Sequence, residues 1–504
     1  MSDLVNGNWL QTMEGSLDII EANTGGGGNA ASAGSFGERI TAELTPEVQI
    51  SNKYQQDPAV LNNLEIFEAT GGSADNNGNL FRCQTGISVG GYGVVRSKDN
   101  VIYKAGEGIE ARFTASFTTG VSNSLQFGGL FSLTDTVAFG YDGVNFSCLH
   151  SYGGAAEVQL ITVTATGAGT CTVTLDDDAK AITVTNSDVQ TNAREIADGL
   201  EADGTISGKW RIEQVDDKVY VIGKAAADKT GTFSISGGVT ATIVEQTAGV
   251  AKSDGHVAQS SWNITADPFT GFDPTRLNVY KITFGYLGVA NITFSIYNPN
   301  TGRFVAVNQI EWSNANTTTH ISQPDLKIGW TAASLGSTTN LTVLGASGFV
   351  AIQGKRIVKS TAYSADASRA SVGTSLLPII TVKNRVVYAD RFNLSKVEPL
   401  QLSVDNDHTK GTIIEVYINA TLTAENYQFE DEDNSVAIYD STSATISGGS
   451  LVESFIIGNG DSGTVNIKDL GIILLPEDTL TLAAKTVSGS GATVTAAITW
   501  KEEK

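Results

Sequence analysis

Short runs of β-branched and aromatic residues, separated by turns rich in Gly and Asn, recur along almost the whole chain. Residues 111–117 alternate apolar and polar side chains, and residues 279–286 and 292–297 flank a short Gly/Asn connection. Residues 413–418 and 492–500 have the same character. Alternation with a period of two buries one face of a strand, and short strands at such regular spacing are typical of sandwiches. The sequence therefore predicts a mainly β, multi-domain β-sandwich protein of jelly-roll-like type.

One segment has the periodicity of a helix. Ser187 and Gln190 have the S-x-x-Q spacing of a capping box. An apolar stripe follows at Val189, Ala193, Ile196, Ala197 and Leu200. Predicted strands lie on both sides of this segment, at 160–164, 171–175, 182–184, 210–212, 219–222 and 233–235. The pattern predicts a small α+β module in which one helix covers one sheet.

The length of 504 residues favours about three or four domains. We predict that residues 1–35 form an N-terminal tail and Gly-rich linker, the tail being an anchoring segment or a frayed terminus. Residues 36–153 and 255–371 share one style and are predicted to form one discontinuous β-sandwich domain. Residues 154–254 are predicted to be the α+β module, inserted at an exposed loop, where insertions are tolerated. Residues 372–504 are predicted to form a C-terminal β-sandwich.

The charge of the chain restricts its partners. Its 54 acidic and 32 basic residues give a formal net charge of −22. Nucleic-acid phosphates and acidic membrane surfaces repel such a chain, so neither a nucleic acid nor a membrane is predicted as a partner. No apolar stretch reaches the ~18–20 residues of a membrane span. The N-terminal residues lack the basic and apolar regions of a signal peptide, and we expect synthesis in a host cytoplasm.

Two Gly-rich segments resemble catalytic motifs. Residues 86–90 fit G-x-S-x-G, but a nucleophile elbow needs a following helix, and Gly91-Tyr92-Gly93 is poor helix material. Residues 460–463 resemble a serine-protease loop, and Gly458, Gly460 and Gly463 fit G-x-G-x-x-G. Neither segment has the flanking helix or histidine context that its chemistry requires. Both are interpreted as turns, so we predict no catalytic and no cofactor-binding residue.

Metal ligands are scarce. The acidic runs at 176–178 and 430–433 lack EF-hand spacing, which leaves solvated loops or a surface calcium ion as the alternatives. The three cysteines and four histidines are scattered and have no zinc spacing. No metal ligand, no cofactor and no disulfide framework are predicted. Cys171 alternates with Val173 and Leu175 and is predicted to be a small core residue.

Aromatic residues concentrate between 262 and 330. They are Trp262, Phe269, Phe272, Tyr280, Phe284, Tyr286, Trp312 and Trp330. Exposed rings could stack on sugars, as in lectins. The even spacing of Tyr280, Phe284 and Tyr286 instead favours packing in a sandwich core.

Two stretches resemble a segment that recurs in large virion proteins of tailed bacteriophages. One is residues 267–312, which begin Asp267-Pro268-Phe269 and contain Asn298-Pro299. The other is residues 91–150, which resemble the N-terminal half of that segment. The module at 156–250 is similar to small domains that decorate phage tail proteins, and residues 474–480 and 500–503 also resemble this group. The resemblance covers most of residues 85–355. It implies a particle component and leaves open tail fibre, head fibre, baseplate or capsid decoration.

The leading hypothesis is a non-enzymatic structural component of a phage virion, fibre-like or on the particle surface. The resemblance implies other virion proteins as partners and a homo-oligomer, with a trimer favoured because trimers are common in fibres. A host-glycan-binding adhesin is the first alternative, and a capsid decoration protein is the second. A polysaccharide depolymerase would need two carboxyl groups ~5–9 Å apart across a groove. The chain lacks the β-helix repeats that would favour that enzyme.

Overall fold

A computed structural model describes residues 44–185, 187–285, 287–354, 360–407, 409, 411–489 and 491–504. The predicted tail and linker at 1–35, and also Tyr286, lie outside the described residues. The first nine strands are β1 (Leu44–Ser51), β2 (Leu64–Ala69), β3 (Ser73–Asn77), β4 (Leu80–Gln84), β5 (Tyr92–Ser97), β6 (Gly108–Phe117), β7 (Ser124–Phe131), β8 (Thr136–Asp142) and β9 (Asn145–Tyr152).

Seven strands and two helices follow β9. They are β10 (Ala156–Ala165), β11 (Gly169–Leu175), β12 (Asp178–Val184), α1 (Val189–Glu201), α2 (Gly204–Lys209), β13 (Trp210–Val215), β14 (Lys218–Ala226), β15 (Ser234–Ser236) and β16 (Thr240–Thr247). Eight strands then return, namely β17 (Ser253–Asp254), β18 (Val257–Ala258), β19 (Asn278–Gly285), β20 (Ile292–Asn298), β21 (Arg303–Ile310), β22 (Lys327–Ser334), β23 (Thr342–Gly345) and β24 (Ser347–Gln353).

The remaining strands are β25 (Thr361–Val372), β26 (Leu377–Asn384), β27 (Val387–Tyr388), β28 (Arg391–Phe392), β29 (Lys396–Asn406), β30 (Thr412–Ile418), β31 (Thr421–Thr423), β32 (Gln428–Phe429), β33 (Ala437–Asp440), β34 (Thr445–Ser447), β35 (Ser450–Ile457), β36 (Ser462–Asn466), β37 (Thr479–Thr486) and β38 (Ala492–Glu503). Short 3-10 helices lie at Pro58–Val60, Gln259–Ser261 and Lys468–Leu470. The fold is mainly β, and the predicted fold class is confirmed. Neither α-helix in the described ranges is long and apolar enough to cross a membrane.

We call β1–β9 together with β17–β24 the central sandwich. One sheet runs β21-β20-β19-β6-β23-β4-β3, with β24 joining β6 to β1. The other runs β17-β9-β8-β7-β22-β5-β2, with β18 on β9. Alternating strand residues of both sheets meet in one core that contains Phe113, Tyr280 and Trp330. A Cβ atom on Gly345 would lie 2.1 Å from the indole of Trp330, so this core accepts only glycine there.

Strands β10–β16 and both helices form the inserted module. Strands β13-β14-β10-β16 make one antiparallel sheet, and β12-β11-β15 make another. Helix α1 buries Ala193, Ile196, Ala197 and Leu200 in the module core, as the apolar stripe predicts. Cys171 is fully buried in the same core, which confirms its predicted place.

The capping of α1 differs from the prediction. Asp188, not Ser187, is the N-cap, and its carboxylate accepts a hydrogen bond from the backbone N–H of Thr191 at 2.6 Å. The hydrogen bond from the Thr191 backbone lowers the pKa of Asp188. A carboxylate at a helix N-terminus also meets the positive end of the helix dipole. The helix therefore begins one residue later than the S-x-x-Q spacing indicates.

Strands β25–β38 form the C-terminal sandwich, with sheets β25-β38-β29-β36 and β32-β33-β26-β37-β30-β35. Strand β25 pairs with the last strand of the chain from Thr361↔Glu502 to Val372↔Ala492. Residues 361–371 therefore belong to this sandwich and not to the central one, so the predicted boundary at 372 is about ten residues too late. Six of the twelve residues of β25 are polar and four are alanine, so no strongly apolar run marks the change of sheet.

Candidate functional site

The Gly-rich segments with catalytic spacing lie in turns between strands. Gly86 and Gly90 have positive φ angles in the connection between β4 and β5, and a strand follows where a nucleophile elbow needs a helix. Gly460 likewise has a positive φ in the turn between β35 and β36. No helix opens after either segment, so neither forms the anion cradle that its spacing resembles.

The acidic run at 176–178 engages three separate groups. Asp176 lies 3.5 Å from the ammonium of Lys229, and Asp178 lies 2.6 Å from that of Lys209. Asp177 accepts a hydrogen bond from the Thr232 backbone, which lowers its pKa. These carboxylates point to different partners and do not converge on one point. The turn instead fixes two lysines of the module.

The run at 430–433 is similarly dispersed. Glu432 pairs with Lys218, and Asp431 accepts hydrogen bonds from the Asn434 backbone and side chain. In the described ranges no group of three or more His, Cys, Asp or Glu residues is placed to hold a metal ion. The surface calcium alternative therefore gains no ligand set from the described residues.

The aromatic residues between 262 and 330 lie mostly in the core of the central sandwich. Tyr280, Phe284 and Trp330 are fully buried, and Trp262 and Trp312 are 6% exposed. Phe139 contacts Tyr280 with ring centroids 4.8 Å apart. The core interpretation therefore holds for these rings, and they cannot stack on a sugar in solvent.

The fold brings together a Ser, a His and two Asp residues that the sequence keeps apart. The Ser151 hydroxyl lies 3.3 Å from Nε2 of His256, whose Nδ1 lies 3.2 Å from Asp142. The same hydroxyl donates to Asp254 at 2.7 Å, and Asp254 also lies 3.5 Å from Nε2. A serine nucleophile must pass its proton to the imidazole. Here the proton goes to Asp254, and the cluster fastens β17 onto β9.

A different site lies where the three parts of the molecule meet. We call it the junction cleft, an open cavity of about 800 Å³. The central sandwich contributes the outer face of β2, β5, β7 and β22, the module contributes the end of α2 with β13 and β14, and the C-terminal sandwich contributes residues around β28. Ligand-binding pockets commonly have volumes of this size, and they commonly lie at contacts between domains.

The cleft is rich in cations. Six line it, namely Arg96, Lys209, Arg211, Lys224, Lys229 and Lys327, against the two carboxyl groups of Asp325 and Glu477. The lining residues therefore carry a formal charge of +6 − 2 = +4. Three further carboxylates behind the wall, Glu65, Asp176 and Asp178, pair with lining cations and reduce the sum to +1. In a chain of net charge −22, even this small positive excess distinguishes the cleft.

One wall of the cleft contains a partly buried charge triad, in which Lys327 is the most buried member. Glu65 lies 2.7 Å from Arg96 and 2.6 Å from Lys327. Burial would raise the pKa of Glu65, but the two cations offset it and hold that pKa below its usual value. Burial lowers the pKa of Lys327 to about 8. Two cations share one carboxylate here, so one positive charge remains uncompensated.

The module forms the opposite wall of the cleft, where Arg211 has an exposed carboxylate partner and Lys224 has a carbonyl partner. Arg211 pairs with Glu477 at 3.2 Å, and Glu477 is exposed. The Lys224 ammonium donates to the Ser207 carbonyl at 2.5 Å. Burial and the nearby charge of Arg211 both lower the pKa of Lys224. An anion placed between Arg211 and Lys224 would remove that repulsion.

Aromatic rings alternate with the cations. The guanidinium of Arg96 lies 4.8 Å from the ring centre of Phe67, and that of Arg211 lies 4.7 Å from the ring centre of Phe392. Phe67 is 37% exposed, and Tyr92 beside it is half-buried. Stacking on a ring holds a guanidinium in one orientation, which prepares its N–H groups for a planar anion.

The sequence does not reveal this site, because its residues are distributed over eight strands and helices and their connections. None of the motifs in the sequence includes them, since the lysines and arginines come from separate segments of the chain. The sequence contains one weak signal, because Arg211 lies within the predicted strand 210–212, and Lys224 and Lys229 follow the predicted strand 219–222, in an acidic protein. Only strand pairing across the three parts brings them together.

No protein-family model and no curated protein sequence matches this chain. Among solved structures it shows similarity to arcelin-5, a lectin-like defense protein from Phaseolus vulgaris, at 10% identity and a TM-score of 0.22 over 61% of this chain and 99% of that one. A legume lectin-like domain from Entamoeba histolytica matches at 10% identity and a TM-score of 0.24, over 60% and 95%. Scores this low establish no common fold.

Proposed function

We propose that this chain is a non-enzymatic structural protein of a phage particle that assembles through its β-domains. The observation that carries the proposal is the way its three parts are joined. The Glu213 carboxylate of the module is 2% exposed and accepts hydrogen bonds from the backbone N–H groups of Val386 and Val387 at 2.9–3.3 Å. Lys383 lies 3.2 Å from the same carboxylate. A desolvated charge with fixed partners holds two domains in one orientation.

The apolar lining of that contact supports the same conclusion. Val158, Tyr220 and Ile222 of the module pack against Val387 and Ile438 of the C-terminal sandwich. The central sandwich is joined to the C-terminal one by ion pairs, Lys98–Asp478 and Lys396–Asp99, each of 2.6 Å. Contacts of both kinds favour one fixed arrangement of the three parts, which a building block of a particle needs.

An exposed apolar patch on the C-terminal sandwich supports assembly with further copies. Ile456 on edge strand β35 is 68% exposed, and Val487 is 56% exposed. Their methyl groups lie 3.5 and 3.7 Å from the position of a Cβ on Gly411, so the two side chains are neighbours. Edge strands with exposed apolar side chains are prone to pair with other chains. We propose a second copy of this chain as the occupant, with a trimer favoured.

Two measurements test the proposal. Mass spectrometry of purified particles should find the protein at a defined copy number, and its absence from them would refute the structural function. Light scattering should find an oligomer at micromolar concentration that Ile456→Asp dissociates, while Val244→Asp, at a position 52% exposed on the module, leaves it intact. A monomeric wild-type protein would contradict self-assembly through this chain.

A second candidate function is that of a glycan-binding adhesin. The junction cleft favours it, because cations and partly exposed rings line one cavity of ligand size. We propose binding without turnover. Prolonged incubation with host capsular polysaccharide should release no reducing ends, and their release would make the protein a depolymerase and contradict the non-enzymatic proposal.

A further inference from the structure

We propose that the junction cleft binds an acidic saccharide, with the carboxylate or sulfate group of the sugar held between Arg211 and Lys224. This inference deepens the adhesin candidate and does not depend on the structural function. The cavity is of small-molecule size and is formed by all three parts of the chain, so a ligand there would contact the central sandwich, the module and the C-terminal sandwich together.

The first argument is the arrangement of charge. Arg211 and Lys224 lie on adjacent strands β13 and β14 of one sheet, which pair Arg211 with Ile222. Glu477 lies 3.2 Å from Arg211, and the charges of Glu477 and Glu201 also act on Lys224. A pair with one exposed partner contributes little to stability, so an incoming anion can readily displace Glu477. The like charges of Arg211 and Lys224 then gain a shared counter-ion.

The second argument concerns the kind of anion. Phe67 and Tyr92 present partly exposed ring surface in the same cavity, which a bare inorganic ion would not use. A sugar has an apolar face that packs on such rings and hydroxyl groups that bond to polar side chains. Gln323 provides a neutral amide in the lining for such contacts. An acidic sugar uses the charges and the rings together.

The third argument excludes a long polyanion. At physiological salt the Debye length is about 8 Å, so a small ligand inside the cleft responds mainly to the cations around it. A nucleic acid would extend beyond the cleft over the surface of a chain with net charge −22 and would be repelled there. The ligand must therefore be short, or must present its charge at an end or a branch.

The test uses the full chain and a panel of sialylated, uronic-acid and sulfated oligosaccharides, each with its neutral counterpart, at millimolar concentration. Acidic members should bind at least about tenfold more tightly than their counterparts, because charge-assisted hydrogen bonds contribute that much. Silence across the acidic panel would overturn the proposal. Equal binding of the neutral counterparts would overturn it too, as would equal binding of inorganic sulfate.

Variants locate the site. The double variant Arg211→Gln/Lys224→Gln should weaken binding of the best acidic ligand by about tenfold or more, since it removes both charges. Glu477→Gln should strengthen binding, because the competing carboxylate is gone. Arg303→Gln changes an exposed arginine outside the cleft and should have no effect. Unchanged affinity in the double variant, with an unchanged unfolding curve, would refute the assignment. Particle mass spectrometry is independent of all these results, so the structural function can fail or succeed separately.

Discussion

The module meets its neighbours through two contacts that are opposite in character, although the same strands make both. On β13, Glu213 enters the closed contact with the C-terminal sandwich, whereas Arg211, two residues earlier on the same face, lines the open junction cleft. On β14, Ile222 packs in the closed contact and Lys224 lines the cleft. Side chains two residues apart in a strand point the same way. One face of the β13–β14 sheet is therefore buried against the C-terminal sandwich in one half and open to solvent in the other.

The difference teaches where charge stabilises a fold and where it is available to a ligand. The Glu213 carboxylate has three donors, namely two backbone N–H groups and the Lys383 ammonium, and almost no contact with solvent. Its contribution to stability therefore depends on every one of these partners remaining in place. Arg211 has one exposed carboxylate partner that solvent can replace. The closed contact should therefore respond strongly to mutation in stability, and the open contact weakly.

The largest effect is expected from Glu213→Ala. The change leaves Lys383 without its carboxylate and two buried N–H groups without an acceptor, which should cost about 3–5 kcal/mol in the free energy of unfolding. Urea denaturation measures it. Glu398→Ala, at a more exposed ion pair with Lys501, is the matched control and should cost less than about 1 kcal/mol. Equal losses in the two variants would remove the distinction between the contacts.

The apolar half of the closed contact should come next. Ile222 is fully buried there, and Ile222→Ala should cost about 2–4 kcal/mol through lost burial and the cavity left behind. Val244→Ala, at a position 52% exposed on the same module, should change the unfolding free energy by less than about 0.5 kcal/mol. A loss below 1 kcal/mol for Ile222→Ala would indicate that this contact is looser than its burial implies.

Asp325 in the lining of the cleft should make the stability of the protein depend on pH. Burial raises the pKa of Asp325 from 3.8 to about 6, although Lys104 and Lys396 act against it and Glu503 adds to it. The folded state then binds this proton more tightly than the unfolded state, so stability falls as pH rises from about 4 to 6. Asp325→Asn keeps an oxygen to accept the Tyr103 N–H bond and cannot ionise.

The Asn variant should therefore lose that slope and gain on the order of 1–3 kcal/mol over the wild type above pH 6. Denaturant melts at several pH values compare the two proteins. A wild-type slope that persists unchanged in the variant would assign the titration to another group.

The smallest effect on stability is expected from Arg211→Gln. Its partner Glu477 is exposed, so the unfolding free energy should change by less than about 1 kcal/mol. The comparison with Glu213→Ala on the same strand is direct, because both residues face the same side of the sheet. A cost above 2 kcal/mol would mean that the cleft wall carries structure and is not free for a ligand.

The β character of the chain could be predicted from the sequence because period-two alternation is a local property, and the α1 stripe of Ala193, Ile196 and Leu200 is equally local. Two predictions were wrong for physical reasons, namely the N-cap of α1 and the start of the C-terminal sandwich. Asp188 competes with Ser187 for the N-cap, and an ionised carboxylate there gains from the helix dipole. Strand β25 contains only Tyr363 and Val372 as large apolar residues, and nothing local to it indicates its pairing with β38.

The candidate site could not be predicted at all. Arg96, Arg211 and Glu477 are separated by more than a hundred residues, and each is unremarkable in its own segment. Their proximity depends on how β5, β13 and the turn before β37 come together. The same is true of Ser151 and His256, which meet only because the chain returns to β9 after the whole module.

That return has a consequence for how such a chain can vary. Ala155 and Val250 form an isolated bridge with reciprocal backbone hydrogen bonds of 2.9 Å, so the module leaves and re-enters the central sandwich at one point. The ninety-four residues between them could be exchanged for another domain whose first and last residues lie close together, without altering the register of β9 and β17. Any such exchange would replace Arg211 and Lys224 in the same step. Because the module joins the central sandwich at the Ala155–Val250 bridge, the cleft wall that the module supplies could change while the central sandwich stays the same.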